Sequence, residues 1–255
     1  MSQTHASGAP RLLYPELDLE AENARLEAMS APERMRWAIE RFPGRTAVLA
    51  SMQKTSSLLL HVLAGLPERS EVLFVDTGYH FPETLEVRDR LAQHLGLDIV
   101  SLQPALTPAQ QRLKHGLDLY EYVDGQPDCC RMRKEVPFID HVLARGHRLV
   151  MLGIRRGEGG ARGRLRPLAA DPRYHGYVLH PFVDWSEQQV QDYLTAHQVP
   201  VNALHAQGYP SIGCSVCTTP VLPGEDERAG RWRHLRSEEG QPRYCGLNYS
   251  DGGGI

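Results

Sequence analysis

The sequence predicts an α/β fold built on a mostly parallel, doubly wound sheet. Short apolar stretches rich in Val, Ile and Leu alternate along the chain with stretches whose apolar residues recur every three or four positions. The first pattern is typical of buried strands, and the second is typical of helices that cover a sheet. Parallel strands need long crossovers, which are right-handed, so helices are expected on both faces of the sheet.

The strand and helix patterns occupy well-separated stretches. The predicted strands are Thr46–Ser51, Glu71–Asp76, Asp98–Leu102, Arg148–Gly153 and Tyr177–Phe182. The predicted helices are Ala21–Arg41, Ser56–Ala64, Pro82–Gly96 and Arg133–Arg145. In a sheet of this type, ligands bind at the carboxyl ends of the strands.

Three segments are expected along the 255 residues. Residues 1–20 are rich in Ala, Ser, Gly and Pro, so a flexible N-terminal segment is expected there. Residues 21–233 are expected to form a single α/β domain that includes the cysteine-bearing segments. Residues 234–255 are polar and end in glycines, so they are expected to be a mobile tail.

Composition narrows the function classes. A formal net charge of -3 and a pI of about 6.5 provide no basic field for nucleic acid. No apolar run is long enough to cross a bilayer and no signal pattern opens the chain, so a cytoplasmic protein without a membrane partner is expected. Five cysteines in a reducing compartment favour metal binding or thiol chemistry over disulfides. The oligomeric state is left open, with a homo-oligomer as one option.

The first predicted strand leads directly into Met52-Gln53-Lys54-Thr55-Ser56 and then into a helix. A helix that begins here points its backbone N–H groups and the positive end of its dipole at the carboxyl end of the strand, which suits an anion. Ser51 and Thr55 could supply hydroxyl groups to that anion. Simple capping of the helix by Ser and Thr is the plainer interpretation.

Cysteines at four positions fall into two tight pairs, Cys129-Cys130 and Cys214-Ser215-Val216-Cys217. Four thiolates suit a tetrahedral zinc ion or an iron–sulfur cluster. Adjacent cysteines on a helix point about 100° apart, which a cluster with separate iron atoms accepts more readily than zinc. The spacing favours a cluster, while zinc and ordinary core packing stay open.

The remaining cysteine, Cys245, lies in a polar, glycine-flanked stretch with no apolar residues to bury it. An exposed thiol of this kind is a candidate nucleophile, and the alternative is an incidental cysteine in a disordered tail. Arginines cluster in residues 153–162 and 224–232. Guanidinium groups bind phosphate and sulfate bidentately, although a solvated arginine face is the commoner fate of such a cluster.

Taken together, these motifs resemble the adenylyl-sulfate (APS) reductase branch of the PAPS/APS reductase family, within the PP-loop adenylyl-binding proteins. The resemblance runs from about residue 45 to 248. It is carried by Cys-Cys-x-x-Arg-Lys at 129–134, Ile-Gly-Cys-x-x-Cys-Thr at 212–218 and Tyr-Cys-Gly-Leu-Asn at 244–248. Tyr244 and Asn248 replace a family Glu and His, Glu158 stands where glutamine is common, and the loop at 52–56 lacks the usual glycine.

The resemblance implies a Rossmann-like fold of the adenine nucleotide alpha-hydrolase type. It implies thioredoxin-dependent reduction of adenylyl sulfate to sulfite and AMP through an S-sulfocysteine on Cys245, in sulfate assimilation and cysteine biosynthesis. It also implies that Cys129, Cys130, Cys214 and Cys217 bind a 4Fe-4S cluster. The residues expected to bind substrate are Ser51, Thr55, Asp76, Thr77, Gly78, Lys134, Arg155, Arg156, Arg162, Arg228 and Arg231.

Other functions remain to be weighed against this one. Within the superfamily, the alternatives are a reductase of the 3′-phosphorylated substrate, an enzyme that accepts both substrates, and a PP-loop enzyme that activates tRNA. The chain lacks the basic excess expected for tRNA. From a different class, the alternative is a zinc-stabilised nucleotide-binding protein without catalysis.

Overall fold

A computed structural model describes residues 17–235 of the chain. Its sheet has six strands in the order β3-β2-β1-β4-β6-β5. The strands are β1 Thr46–Leu49, β2 Glu71–Val75, β3 Ile99–Leu102, β4 Leu149–Leu152, β5 Leu168–Asp171 and β6 Gly176–Leu179. All neighbouring pairs are parallel except β5 and β6, which are antiparallel. The predicted fold class, a mostly parallel α/β sheet, is confirmed.

β5 is the strand that the sequence analysis missed. Its sequence is Leu-Ala-Ala-Asp, without the β-branched and aromatic residues that mark a strand. It forms because a short 3-10 turn at Pro172–Tyr174 reverses the chain and pairs Leu168 with Leu179. Tertiary pairing, rather than local propensity, therefore specifies this edge of the sheet.

Helices surround the sheet. They are α1 Leu19–Glu27, α2 Ala31–Arg41, α3 Lys54–Ala64, α4 Pro82–Leu95, α5 Pro108–His115, α6 Gly125–Cys130, α7 Val136–Arg145 and α8 Glu187–Ala196. A π-helix, Arg131–Glu135, joins α6 to α7. None of the helices in residues 17–235 is both long and apolar enough to cross a membrane.

The prediction of one helix over Ala21–Arg41 was wrong. Two helices occupy this stretch, because Ser30 and Glu33 form a capping box that starts α2 and Pro32 in its first turn has no N–H to continue an earlier helix. α1 already begins at Leu19, inside the segment expected to be flexible, and Asp18 accepts hydrogen bonds from its first turn. Residues 1–16 and 236–255 lie outside the described residues.

Alternate residues of the central strands face two separate cores. Val48 of β1 packs in a core with residues of α2, α3, α4 and α8. Its neighbours Ala47 and Leu49 pack in the opposite core, against Phe138 and Val142 of α7. Helices therefore cover both faces of the sheet, as a doubly wound fold requires.

The direction of strand order reverses between β1 and β4, which are adjacent in the sheet. Such a reversal opens a crevice at the carboxyl ends of the two strands. The crevice is tight at Gly153, just after β4, since a Cβ atom there would lie 2.9 Å from the backbone of Thr55 in α3. A glycine at this position therefore lets the end of β4 approach the start of α3.

Candidate active site

A cavity of about 230 Å³ opens at the carboxyl ends of β1, β2 and β4. Ser51, Thr77 and Gly153 line it just beyond the ends of these three strands. The segment of residues 208–233, which carries Cys214 and Cys217, is called the cysteine-rich segment below. Its residues 210–214 and the arginines at 228 and 231 also line the cavity. The cavity is therefore at the position where α/β sheets of this topology bind ligands.

Most of the predicted substrate-binding residues line this cavity, namely Ser51, Thr55, Thr77, Lys134, Arg155, Arg162, Arg228 and Arg231. The structure does not bring Asp76, Gly78 and Arg156 to it. Asp76 accepts a hydrogen bond from the Gly78 N–H at 3.0 Å, and Gly78 has a φ of 72°, so these two residues form the turn after β2. Arg156 instead donates to the carbonyl of Leu165 and pairs with Glu27.

The loop after β1 lacks glycine but still adopts a glycine-like conformation. Met52 is buried and has a φ of 59°, in the left-handed region that glycine enters without steric cost. Gln53 precedes α3, and its Oε1 accepts a hydrogen bond from the Ile212 N–H at 2.9 Å. The loop is thus attached directly to the segment that carries the second cysteine pair.

Arg155 is buried and bonded to protein groups on two helices. Its Nε donates to Thr55 Oγ1 at 3.0 Å and its Nη1 to the Trp185 carbonyl at 3.1 Å, while Nη2 pairs with Glu187. Glu187 also accepts from Lys54 Nζ at 2.7 Å. Burial would raise the pKa of Glu187, but Lys54 and Arg155 together lower it. Arg155 therefore positions the starts of α3 and α8 around the cavity.

Arg231 is a buried cation on the cavity wall. Its guanidinium lies 4.6 Å from the Trp232 ring centroid, and its Nη1 donates to Ser211 Oγ and the Ile212 carbonyl, both at 3.3 Å. Among residues 17–235, no group accepts a hydrogen bond from its buried Nε. A buried charged donor with unused capacity suits an anionic ligand.

Gly213 makes room for that guanidinium. A Cβ atom at this position would lie 2.4 Å from Arg231 Nη2 and 2.6 Å from Cζ. The glycine in the Ile-Gly-Cys motif is therefore explained by the close approach of Arg231.

The name basic wall is used here for four cations that line the cavity, namely Lys134, Arg162, Arg228 and Arg231. Arg162 pairs with Glu158, which also lines the cavity. Arg228 Nη1 donates to Ser211 Oγ at 3.4 Å, and its guanidinium lies 5.9 Å from the Trp232 ring centroid. Ser211 thus contacts both of the arginines that come from the cysteine-rich segment.

The two cysteine pairs, 85 positions apart between their first members, line one small pocket beside this cavity. Cys129 and Cys130 end α6, whereas Cys214 and Cys217 bracket a 3-10 turn held by a 2.7 Å hydrogen bond from the Ser215 N–H to the Tyr79 carbonyl. All four cysteines are buried. The sequence prediction that the pairs lie together agrees with this arrangement, and their role as ligands stays a prediction.

Polar groups surround the cysteine sulfurs. Gln126 Nε2 lies 3.0 Å from Cys130 Sγ, and Thr77 Oγ1 lies 3.4 Å from Cys214 Sγ. Burial, followed by the charge of Cys214, raises the pKa of Cys217 to about 12, and burial also raises the pKa of Cys129. Thiolates in this pocket therefore need a cationic group to stabilise them.

Lys134 lines both the cavity and the cysteine pocket, and so does Cys214. Lys134 lies in the π-helix and is buried. Its neighbour Arg133 fixes the helix here, since its Nε donates to the Thr77 carbonyl and its Nη1 donates to Gln111 Oε1 at 2.9 Å. The two sites are thus in direct contact through a buried cation.

Several lining residues were missed by the sequence analysis. His205 lies on a short 3-10 helix, its Nδ1 is 2.9 Å from the Tyr209 carbonyl, and burial with the charge of Lys54 lowers its pKa to about 4. Glu187 opens a helix that was not predicted. Only Ser211, next to the Ile-Gly-Cys motif, had a local sequence signal. Cys245, Tyr244 and Asn248 lie outside the described residues.

Comparison with known proteins identifies the family. The sequence profile of the phosphoadenosine phosphosulfate reductase domain matches residues 45–220, which include the whole sheet and both cysteine pairs. The chain belongs to the phosphoadenosine phosphosulfate reductase family. The resemblance stated from the sequence motifs is therefore confirmed.

Relatives within the phosphoadenosine phosphosulfate reductase family match over nearly the full chain. A protein of Streptomyces coelicolor is 38% identical over 236 residues, which cover 91% of this chain and 95% of the relative. A protein of Mycolicibacterium smegmatis is 36% identical over 227 residues, covering 89% and 92%. Both relatives are named adenosine 5′-phosphosulfate reductase.

Solved structures support the fold of this family member. Phosphoadenylyl-sulfate reductase from Candida auris, solved as a phosphate complex, superposes with a TM-score of 0.71 at 23% identity. The match covers 81% of this chain and all of the other. FMN adenylyltransferase of Candida glabrata matches more distantly, with a TM-score of 0.56 at 14% identity over 94% of this chain and 77% of the other. At these identities the likeness concerns the fold alone.

Proposed function

We propose that this chain reduces adenosine 5′-phosphosulfate to sulfite and AMP, as an enzyme of sulfate assimilation and cysteine biosynthesis. The observation that carries the proposal is the contact between the strand-end cavity and the four-cysteine pocket through Lys134 and Cys214. The names of the relatives that are 36% and 38% identical support the same substrate. Such a pairing of sites suits a nucleotide whose reacting group lies beside the cysteines.

The substrate's charged groups are bound at the basic wall. The phosphosulfate anhydride lies among Lys134, Arg228 and Arg231, whose guanidinium and ammonium donors match phosphate and sulfate oxygens. The start of α3, with Ser51 and Thr55, binds the adenylyl phosphate through backbone N–H groups and hydroxyls. In support, the buried Nε of Arg231 has no acceptor among residues 17–235.

Cys245, in the C-terminal segment of the chain, is the nucleophile. Its thiolate attacks the sulfur of the substrate, the bond between sulfur and the bridging oxygen breaks, and AMP leaves with that electron pair. The enzyme then carries an S-sulfocysteine. A thiolate of thioredoxin attacks Cys245 Sγ and releases sulfite, and its second thiol resolves the mixed disulfide, so thioredoxin supplies both electrons.

The ligand chemistry of the cysteine pocket suits a 4Fe-4S cluster. The donor set consists of four buried thiols with polar neighbours, and the lining residues include no carboxylate. Among residues 17–235, no three cysteine sulfurs lie within 4.8 Å of one another. A tetrahedral zinc ion with bonds of about 2.3 Å would need sulfurs about 3.8 Å apart, so a wider group is favoured. When bound, the cluster would offset part of the charge of the four thiolates and would link the two cysteine pairs to each other beside Lys134.

The test is sulfite release from anaerobically purified protein with thioredoxin as reductant. Adenosine 5′-phosphosulfate should yield sulfite and AMP in equal amounts, and without thioredoxin one SO₃ group should remain on Cys245, visible by mass spectrometry. The 3′-phosphorylated substrate should react much more slowly. Equal or faster turnover of the 3′-phosphorylated compound would overturn the substrate assignment, and sulfite production by Cys245→Ser would overturn the covalent route.

A further inference from the structure

Three side chains with metal-binding atoms meet near the amino ends of β2 and β4, at the opposite end of these strands from the cavity. Glu71 is the first residue of β2, His141 lies on α7, and His147 follows α7 just before β4. β2 runs from Glu71 to Val75, and Val75 lines the cavity, so about 13 Å of strand separates Glu71 from the cavity. The group is therefore distinct from the substrate and cysteine sites.

The ligand atoms of these residues converge on one carboxylate oxygen. His147 Nε2 lies 2.5 Å from Glu71 Oε2, and His141 Nε2 lies 3.1 Å from the same atom. Within residues 17–235, no other set of three or more His, Cys, Asp or Glu side chains has its ligand atoms within 4.8 Å of one another. Both imidazoles thus point the same nitrogen at a single position.

The local fold holds this arrangement in place. Gly146 ends α7 with a φ of 67°, and the His147 N–H donates to the Val142 carbonyl at 3.0 Å. This is a Schellman turn, which directs His147 back beside the last turns of α7. Arg45, just before β1, donates to the Gly146 carbonyl at 3.2 Å and fixes the turn against the sheet. The histidines are consequently held before any ligand binds.

We propose that Glu71, His141 and His147 form a binding site for a divalent transition-metal ion such as Zn²⁺. Two imidazoles and a carboxylate are a common ligand set for this ion, with bonds of about 2.0–2.2 Å. Ligand atoms in such a site are roughly 3.4 Å apart. The His141 contact already matches that spacing, and the His147 contact has to lengthen by less than about 1 Å.

Solvent access and charge are compatible with an ion at this site. The His147 side chain is only 4% exposed, while His141 and Glu71 are 21% and 20% exposed, which leaves an open direction for water as a fourth ligand. A neighbouring cation, Arg145, contacts the other carboxylate oxygen, Oε1, at 3.6 Å and is 61% exposed. Arg145 can therefore remain paired with Oε1 or turn into solvent while Oε2 binds the ion.

An ion here would connect α7 to β2. α7 continues from the π-helix that carries Lys134 and from α6, which carries Cys129 and Cys130. Binding should stabilise the native state, because only the folded chain brings the three ligands together. The competing interpretation is a hydrogen-bonded His–Glu–His network without a metal.

The experiment titrates Co²⁺ into the protein with its cysteine site loaded. One Co²⁺ per chain should produce ligand-field absorption without the intense thiolate-to-cobalt charge transfer that cysteine ligation gives, and Zn²⁺ should displace it. His141→Ala should lose this absorption. His115→Ala, at an exposed position at the end of α5, should keep it. Wild-type protein that gives no such absorption, or His141→Ala that gives the same absorption, would overturn the proposal.

Thermal unfolding distinguishes a variant that has lost the metal site from a variant that folds poorly. Zn²⁺ should raise the Tm of the wild type and of His115→Ala, and it should leave the Tm of His141→Ala and Glu71→Gln unchanged. A rise of the same size in Glu71→Gln, or no rise in the wild type, would favour the hydrogen-bonded network and contradict the metal site.

Discussion

Arg155 Nε donates a hydrogen bond to Thr55 Oγ1 at 3.0 Å, and this contact joins the residues after β4 to the first turn of α3. Both residues are buried, so the guanidinium cannot replace this acceptor with bulk water. Because the two elements form adjacent walls of the cavity, the contact sets the width of the site.

Thr55→Val should therefore destabilise the protein by about 1–3 kcal/mol, the usual consequence of a buried donor left without its acceptor. Urea unfolding measures the change. Thr195→Val is the matched control, since Thr195 is exposed on α8 and donates only to the Gln191 carbonyl. Equal effects of the two substitutions would contradict a special role for the Arg155 contact.

Lys134→Gln should lower kcat/KM for adenosine 5′-phosphosulfate at least tenfold, about 1.4 kcal/mol of transition-state stabilisation. The reason is that Lys134 lines both the cavity and the cysteine pocket. Lys114→Gln, exposed near the end of α5, should have no effect. Iron content is measured in both variants. A Lys134 variant with parental kcat/KM would remove this residue from substrate binding.

Gly213→Ala should raise KM while leaving the fold intact. The new methyl group would lie within 2.4–2.9 Å of the Arg231 guanidinium, which has to leave its position over Trp232. Steady-state kinetics and thermal unfolding together distinguish this local effect from general destabilisation. Gly163→Ala is the control, because nothing lies within 4 Å of a Cβ atom there. An unchanged KM in Gly213→Ala would show that Arg231 does not contact the substrate.

Cysteine variants should separate the two cysteine roles. Cys217→Ala removes a thiol of the buried pocket, so iron and the associated visible absorption should be lost. Cys245→Ala should retain full iron content and produce no sulfite. Iron analysis and sulfite release are measured on the same preparations. Cys217→Ala with parental iron content would contradict its assignment as a ligand.

Acid should destabilise the protein partly through His205. Burial lowers its pKa from 6.5 to about 4, so between these pH values the unfolded chain binds the proton and the folded chain does not. Above about pH 6.5, protonation of His205 does not affect the free energy of unfolding. As the pH decreases toward 4, this free energy falls by about 3 kcal/mol, because one pKa unit corresponds to about 1.4 kcal/mol. His205→Gln should flatten unfolding free energy against pH, whereas His115→Gln should not.

The sequence analysis succeeded where a motif is local. Strand cores such as Glu71–Val75 follow from short apolar runs, and the two cysteine pairs were grouped from their spacing alone. It could not choose between the adjacent arginines 155 and 156, which the structure directs to different sides. That choice depends on Glu187 of α8 and Glu27 of α1, which are remote in sequence.

Residues that act through long-range packing had no sequence signal. His205 reaches the cavity because its 3-10 helix follows α8 and lies near Lys54, a relationship that no periodicity encodes. The group of Glu71, His141 and His147 is similar, since its members are up to 76 positions apart and meet through sheet register and a helix-ending turn. Tertiary structure, rather than a local sequence pattern, places His205 at the cavity and brings Glu71, His141 and His147 together.

The π-helix at Arg131–Glu135 absorbs one extra residue between α6 and α7. Its i→i+5 hydrogen bonds hold one residue more per ring than those of an α-helix, for nearly the same rotation about the helix axis. Deleting a single residue there should therefore restore regular α-helix and leave Phe138 and Val142 of α7 in the core. The deletion would instead displace the side chains within the segment, Lys134 among them. Variants shortened by one residue in this segment should keep their fold and lose the buried cation that lines both the cavity and the cysteine pocket.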